Sequence, residues 1–386
     1  MKYKLKDVFD LQMGKTPSRH NVAYWGGNNK WISIADIGNA SKYIYKTKET
    51  ISDLAVEESG IKIVPTGTVI MSFKLSIGKT CITSEDMYTN EAIMAFVDKG
   101  ACPIDIDYFY HFCCGRNWSV GTNKAVLGLT LNKATLSEVE IDIPNIEVQR
   151  EIAQKLDSID DLIKFRRQEL DILEQIVKSR FIEMFGDVIN NDRNWPMATM
   201  GDVAEIKIGP FGTLLHKEDY IVGGHALVNP SHIVDGKISV DISLTISDEK
   251  YEELTAYHLK TDDIVLGRRG EMGRCAVVRE EGLLCGTGSL IIRPNDKLKP
   301  YFLQTIISNP TYKKIIEDKA VGVTMMNLNV PIVESLRIPM LPIELQNDFI
   351  FFMEQVDKSK FYIIKTQKII ELLIRAIQYK TKEVLL

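Results

Sequence analysis

The sequence predicts an α+β chain of two similar mixed α/β domains, each followed by a long helix, with the two helices paired as an antiparallel coiled coil. Three observations predict it. The chain repeats its own pattern once, at about half its length. Each half opens with short strand-like runs separated by turns. Each half closes with an apolar stripe at helical spacing, too long to be covered by one small domain.

The repeat comes first. Leu5-Lys6-Asp7-Val8-Phe9-Asp10-Leu11-Gln12-Met13-Gly14 is matched in pattern by Met200-Gly201-Asp202-Val203-Ala204-Glu205-Ile206-Lys207-Ile208-Gly209, 195 positions later. At the same offset Gly67-Thr68-Val69-Ile70-Met71 meets Asp262-Asp263-Ile264-Val265-Leu266, and Gly78-Lys79 meets Gly273-Arg274. Tyr108-Phe109 answers Tyr301-Phe302, and Ile143-Pro144-Asn145-Ile146-Glu147-Val148-Gln149 answers Met340-Leu341-Pro342-Ile343-Glu344-Leu345-Gln346. Ordered matches at a nearly constant offset mean duplicated domains, since solenoid repeats run only ~20–50 residues.

Runs such as Thr68–Ser72, Glu91–Val97, Asp263–Leu266 and Ser289–Arg293 have the composition of strands. The first helix is expected from about Asn145 to Phe185. Its stripe is Ile152, Leu156, Ile159, Ile163, Leu170, Leu173, Val177 and Phe181, with Asn145 as N-cap and Gly186 as C-terminal glycine. The second is expected to hold Pro342 in its first turn and to run to the end. Its stripe is Phe349, Met353, Val356, Ile363, Ile370, Leu373 and Ile377, interrupted by Lys360 and Gln367. A helix of ~40 residues is ~60 Å long and needs a partner helix along its stripe. The expected divisions are a first domain at 1–143, a helix segment at 144–187, a polar linker at 188–196 around Asn190–Asn194, a second domain at 197–340 and a second helix segment at 341–386.

Hydrophobic content of 45% and charged content of 26% are those of a soluble globular chain. No stretch approaches the ~18 consecutive apolar residues of a membrane helix, and the N-terminus lacks a signal-peptide core, so a cytoplasmic location is expected. The six cysteines show no C-x-x-C spacing and are expected as buried thiols. The net charge of −5 and isoelectric point of 5.8 weigh against nucleic-acid binding, but phosphate contacts depend on where charge sits rather than on its sum.

Catalytic motifs are near misses. Gly14-Lys15-Thr16 and Gly78-Lys79-Thr80 end like a phosphate loop, but Phe9 and Phe73 stand where its first glycine belongs. Asn229-Pro230-Ser231-His232 only partly echoes the Asn-Pro-Pro-aromatic motif of adenine methyltransferases. Glu205 and Lys207 read as a surface strand end rather than half of a nuclease site. No catalytic, cofactor or metal residue is assigned.

The run Phe181-Ile182-Glu183-Met184-Phe185-Gly186-Asp187, then Asn194-Trp195-Pro196, then Met200-Gly201-Asp202-Val203-Ala204-Glu205-Ile206 resembles the passage from central helix to second domain in specificity subunits of type I restriction–modification systems. Ile143-Pro144-Asn145-Ile146-Glu147-Val148-Gln149-Arg150-Glu151-Ile152 resembles that family's proline-led start of the first helix. The resemblance implies two target-recognition domains that each read half of a split site in double-stranded DNA. It also implies helices that space them and dock two modification (methyltransferase) subunits, with restriction subunits joining. The chain would be non-catalytic and bind no cofactor; S-adenosylmethionine, ATP and Mg would belong to the partners, and no membrane is involved. A ~60 Å spacer corresponds to at most ~18 base pairs, and half-sites about one turn apart share a face of the duplex.

Three sets of residues are candidate DNA contacts. The loop Arg268-Arg269-Gly270-Glu271-Met272-Gly273-Arg274 follows a strand; its arginines suit guanine or phosphate, and Glu271 suits a cytosine amino group. Its counterpart offers Ser72, Lys74, Ser76 and Lys79. The turn Gly14-Lys15-Thr16-Pro17-Ser18-Arg19, matched by Gly209–Thr213, forms the second set, with Lys15, Thr16, Ser18 and Arg19 as contacts. The approach to each helix forms the third: Gly121-Thr122-Asn123-Lys124, and Gly322 with Thr324–Asn329, from which Asn327 and Asn329 are taken as adenine partners. Solvated hairpin tips are the plain alternative. The competing functions are a stand-alone methyltransferase or nuclease with a diverged site, and a protein adaptor.

Overall fold

The structure, a computed structural model, describes residues 1–74, 76–118, 123–125, 128–211, 214–320 and 327–383, with backbone alone at 123–125, 128–130, 371 and 373–383. The chain forms two compact units: residues 1–167 with the stretch from Lys365, and residues 168–364.

In the first unit the main sheet runs in the order Phe9–Met13, Ile93–Asp98, Val69–Ser72, Thr80–Thr83, Tyr43–Ile44. The first four strands are antiparallel, with Phe9 opposite Asp98 and Met13 opposite Met94, and Tyr43–Ile44 joins in parallel. A smaller sheet orders Glu49–Ile51, Trp25–Ile32 and Tyr88–Thr89, the last pair parallel. Helix Ile106–Gly115 covers one face of the main sheet: Phe109 stacks on Phe9 at 4.2 Å and meets Phe96 edge-on at 5.2 Å. Strand Lys2–Lys4 pairs with Glu140–Asp142, so the two ends of the domain are zipped together.

The second unit repeats this plan. Its main sheet orders Ala204–Ile208, Ser289–Pro294, Ile264–Gly267 and Cys275–Val277, all antiparallel. Its smaller sheet again ends in a parallel pair, Val228 beside Cys285, as Ile32 lies beside Thr89. Helix Pro300–Ser308 places Phe302 over the core, and Met197–Thr199 pairs with Arg337–Pro339. Small local devices recur as well. Asp7 accepts from the Lys4 N–H, and Asp202 from the Thr199 N–H, starting the same one-turn helix in each half. Gln149 and Gln346, both fully buried, make the same three bonds. Each accepts from the backbone at the start of the sheet-covering helix (Asp105, Lys299) and donates to two carbonyls, those of Pro103 and Pro144 or of Lys297 and Leu341.

The long helices are Ile146–Phe185 and Ile343–Glu383. Asn145 caps the first by accepting from the Val148 N–H at 2.9 Å. Gly186 ends it at φ +73°, where a Cβ would strike the Asp192 carboxylate. The stretch expected as a linker also caps the helix by hydrogen bonds. Arg193 donates to the carbonyls of Glu183 and Met184, and the Trp195 indole to that of Phe185, satisfying the helix's last acceptors. Pro342 lies just before the second helix rather than inside its first turn; its carbonyl accepts from the Gln346 N–H.

Within the second unit the two helices run antiparallel. Phe181 and Phe185 meet Phe349 edge-on at 5.3 and 5.4 Å, while Glu174, earlier on the first helix, faces Lys360, later on the second, at 3.9 Å. Lys360 therefore belongs to the seam that it was expected to interrupt, in the partly buried row Leu170, Leu173, Met353, Lys360 and Ile363, where Val356 is buried. In the first unit the row Ile159, Ile163, Gln367 and Ile370 is also partly buried. The ends of the expected stripe pack elsewhere. Ile152 joins the first domain's core, and Val177, Phe181 and Phe349 join the second's. Leu156 is buried, and the side chains of Leu373 and Ile377 lie outside the described residues.

Each domain grips its helix differently. In the first unit Asp157 on the helix receives Lys42 at 2.6 Å and His111 at 2.8 Å, and Lys42 also reaches Asp107 at 2.8 Å. Burial pushes the Asp157 carboxyl up, but Lys42 and His111 outweigh it and hold it below its ordinary value. In the second unit the Thr305 hydroxyl meets the Met353 sulfur, and Arg279 stands 3.9 Å from Asp357.

Candidate nucleic-acid interface

The two loops singled out for arginine and lysine hang on one backbone frame. In the second half the Gly267 N–H donates to Arg274 at 2.8 Å, the Arg268 N–H to Gly288 at 3.0 Å, and the Leu328 N–H to Arg268 at 3.0 Å. In the first half Ser72 donates to Lys79 at 2.9 Å, Phe73 to Ala92 at 3.0 Å, and Leu131 to Phe73 at 3.1 Å. Gly78 and Gly273 both take positive φ, +88° and +74°, which L side chains rarely adopt. The frame makes Phe73 and Arg268 equivalent.

What the frame carries differs. Phe73 is buried in its core at 1% exposure. Arg268 is 5% exposed: its Nε donates to Asn327 Oδ1 at 2.9 Å, and its guanidinium lies 5.9 Å from the Phe211 ring. Burial, with Arg269 adding to it, pulls its pKa down. Arg268 is thus a held side chain rather than a solvated tip. Arg269 beside it is exposed and has no ion-pair partner among the described residues. Glu271 is no free acceptor: it bonds Arg274 and stands 3.6 Å from Lys313, and these cations hold its carboxyl below the ordinary range. Arg274 also donates to the Pro230 carbonyl at 3.3 Å.

Two further candidates turn inward. Ser72 is fully buried; its hydroxyl donates to the Ser76 carbonyl and accepts from the Lys79 N–H, so it shapes the loop. Asn329 caps helix Val330–Glu334 by accepting from the Ile332 N–H at 3.0 Å, as Asn132 caps Lys133–Ser137 in the first half. Its side-chain oxygen is committed to the fold. Lys74 lies half-buried with Nζ 5.2 Å from the Phe73 ring, whereas Lys79 is exposed. Gly121, Thr122, Gly212, Thr213, Gly322 and Thr324 lie outside the described residues.

The Gly14–Arg19 turn is built on two tryptophans. A Cβ on Gly14 would lie 2.2 Å from the carbonyl oxygens of Thr89 and Asn90; on Gly209 it would lie 2.1 Å from that of Gly286. This close approach explains the glycine in both halves. The indoles of Trp31 and Trp25 donate to the carbonyls of Lys15 and Ser18. Lys15 reaches the Ser59 carbonyl, Thr16 bonds Glu91, and Ser18 is exposed. Arg19 lies 3.7 Å above the Trp25 ring and grips Glu49 bidentately at 2.5 and 2.9 Å. The Glu49 hydrogen bond raises the Arg19 pKa against the cost of burial.

No cluster of metal-ligating side chains occurs among the described residues. Asn229-Pro230-Ser231-His232 is structural: His232 is buried, with Nδ1 2.7 Å from the Leu227 carbonyl. Glu205 and Lys207 form a surface ion pair. All six cysteines are free, but Cys114 is exposed and Cys102 half-buried, against the expectation of burial throughout. Sequence reasoning missed the ion pair of Asp263, 1% exposed, with Arg293 at 2.7 Å. The repeat already set Thr68 against Asp263, and that mismatch was the available signal.

Two copies of one α/β fold, each closed by a long helix and each presenting a glycine-hinged loop on one shared frame, define a duplicated recognition protein. The chain belongs to the type I restriction modification DNA specificity domain family, which matches it twice, at residues 1–175 and 192–373. It is similar to the MjaIX type I restriction enzyme specificity subunit of Methanocaldococcus jannaschii, with 27% identity over 288 residues, 69% of this chain and 66% of that one. The chain thus spans just under two thirds of that relative's length. In fold it is similar to the S subunit of a type I restriction–modification system from M. genitalium, with a TM-score of 0.56 and 14% identity over 98% of this chain and 94% of that one. A chain solved in work on complex assembly and conformational transition of the type I R-M system matches with a TM-score of 0.64, 14% identity and coverage of 98% and 96%. Among the described residues no helix is long and apolar enough to cross a membrane.

Proposed function

We propose that this chain is the DNA-specificity subunit of a type I restriction–modification complex, non-catalytic itself, each domain reading one half of a bipartite site in double-stranded DNA in the cytoplasm. The observation that carries this reading is the frame shared by the loops at 73–79 and 268–274, which holds unlike side chains. One scaffold with two different recognition surfaces is what an asymmetric split site requires. Arg269, Arg274, Lys79, Lys15 and Arg19 are the assigned contacts from exposed or half-exposed loops, with Lys74, Thr16 and Ser18 beside them. Arg268, aligned by Asn327, is assigned to a base edge, and its bidentate donor geometry suits guanine. Ser72 and Asn329 shape the loops, and the carboxylate of Glu271 is paired.

The helices dock two modification subunits, and restriction subunits join that assembly. Ile172, Ile176, Phe351 and Phe361 expose 42–65% of their surface on these helices, more apolar area than a free rod needs. S-adenosylmethionine, ATP and Mg are handled by the partners. The test is methyl transfer to DNA from S-adenosylmethionine. Transfer is expected only when a modification subunit is added. Transfer by the chain alone would establish the stand-alone enzyme instead, and failure of both chain and complex to retain any duplex would establish the adaptor.

A further inference from the structure

The net charge of −5 sits awkwardly with phosphate binding, yet in each half an arginine on a candidate DNA-contact loop already holds a carboxylate. Arg19 grips Glu49 with two parallel N–H···O bonds while its face rests on Trp25. Arg274 bonds Glu271, which also neighbours Lys313 at 3.6 Å. A carboxylate so held, by the Arg19 fork or between Arg274 and Lys313, presents two oxygens and a negative charge, as a phosphodiester does with its non-bridging oxygens. Exposure separates these pairs from structural ones. The Asp263 carboxylate under Arg293 is 1% exposed and beyond the reach of an incoming ligand, whereas Glu49 and Glu271 are 37% and 54% exposed.

We infer that Glu49 and Glu271 are internal stand-ins for DNA phosphates, occupying the recognition arginines until a duplex displaces them. This rests on the reading of these loops as DNA contacts. The device lowers binding to arbitrary DNA, because each phosphate contact replaces an ion pair instead of a hydrated cation. At the recognised site, base contacts supply the remaining free energy, so discrimination rises. Trp25 keeps the Arg19 guanidinium stacked after Glu49 leaves, so the arginine reaches the backbone already extended. In the second half, displacement of Glu271 frees two cations, Arg274 and Lys313.

The experiment uses the full chain assembled with its modification subunits and a labelled random-sequence duplex of about 30 base pairs, titrated at several salt concentrations. Glu49→Gln and Glu271→Gln keep the side-chain shape and remove the charge. Each is expected to tighten binding ~2–5-fold, the range that an exposed ion pair supports, with the slope of log K against log salt little changed because the same phosphates are contacted in either case. Arg19→Ala and Arg274→Ala are expected to weaken binding. In the Arg19→Ala background the Glu49→Gln gain should vanish, because the carboxylate then guards nothing.

Three results would overturn the inference. Gln variants that bind no tighter, while the Ala variants bind more weakly, would make the carboxylates mere braces of loops that do touch DNA. A Glu49→Gln gain that persists without Arg19 would reduce the effect to general charge. Unchanged affinity in all four variants would remove these loops from the DNA surface and take the assignment of contacts down as well.

Discussion

The first and second domains share a frame to within about a tenth of an ångström in the bonds that hold their loops, and differ in what the frame presents. Phe73 fills the first domain's core; Arg268, at the equivalent position, is held on Asn327. Thr68 and Val97 stand where the second domain buries Asp263 against Arg293. The difference teaches that several duplicated positions which stayed alike serve backbone geometry, Gly14 and Gly209, Gly78 and Gly273, Gln149 and Gln346, Asn132 and Asn329, while Phe109 and Phe302 stayed alike in the cores. Positions that the backbone does not constrain have been free to acquire separate chemistry.

The largest expected effect falls where the halves differ most in their interior. Arg293→Ala leaves the Asp263 carboxylate buried and unpaired and should cost ~3–5 kcal/mol in urea unfolding. Replacing the pair by the first domain's own residues, Asp263→Thr with Arg293→Val, should recover most of that loss. A double variant as unstable as Arg293→Ala would show that the second core has come to depend on the pair.

The next test attacks the likeness. Gln149→Ala and Gln346→Ala each leave a half-buried N–H and two carbonyls without their side-chain partner, which costs about 1 kcal/mol or somewhat more. Nearly equal losses are expected in the two halves; a loss in one alone would break the equivalence of the latches. On binding, Arg268→Ala should weaken or relax recognition at one half-site by ~1–3 kcal/mol and leave the other untouched, read by competition among half-site variants. Unchanged affinity and preference would return Arg268 to a purely structural role. The smallest effect is expected at the caps: Asn132→Ala and Asn329→Ala should each lower stability by ~1 kcal/mol without altering site preference. A changed preference in Asn329→Ala would restore it as a reader.

Much of the fold was legible because its signals are local. The first helix was bounded by Asn145 and Gly186, whose roles depend on their own neighbours, and the duplication showed in glycines that only a close approach or positive φ explains. The site was less legible because its geometry is made by residues far apart in sequence. Arg268 is held by a partner 59 positions away, and Glu91 reaches Thr16 across 75. A serine in a loop reads as a contact until its hydroxyl is found folded inward, as in Ser72. Lys360 read as a flaw in the seam because the ion pair that accommodates it comes from the other helix.

The most direct measurement is the methylome of cells carrying this chain with its modification subunit, before and after residues 197–340 are exchanged for the corresponding domain of a relative. The expected result is a bipartite methyl-adenine motif in which one half changes and the other half is retained. A motif in which both halves change together would contradict two independent readers on one duplicated scaffold.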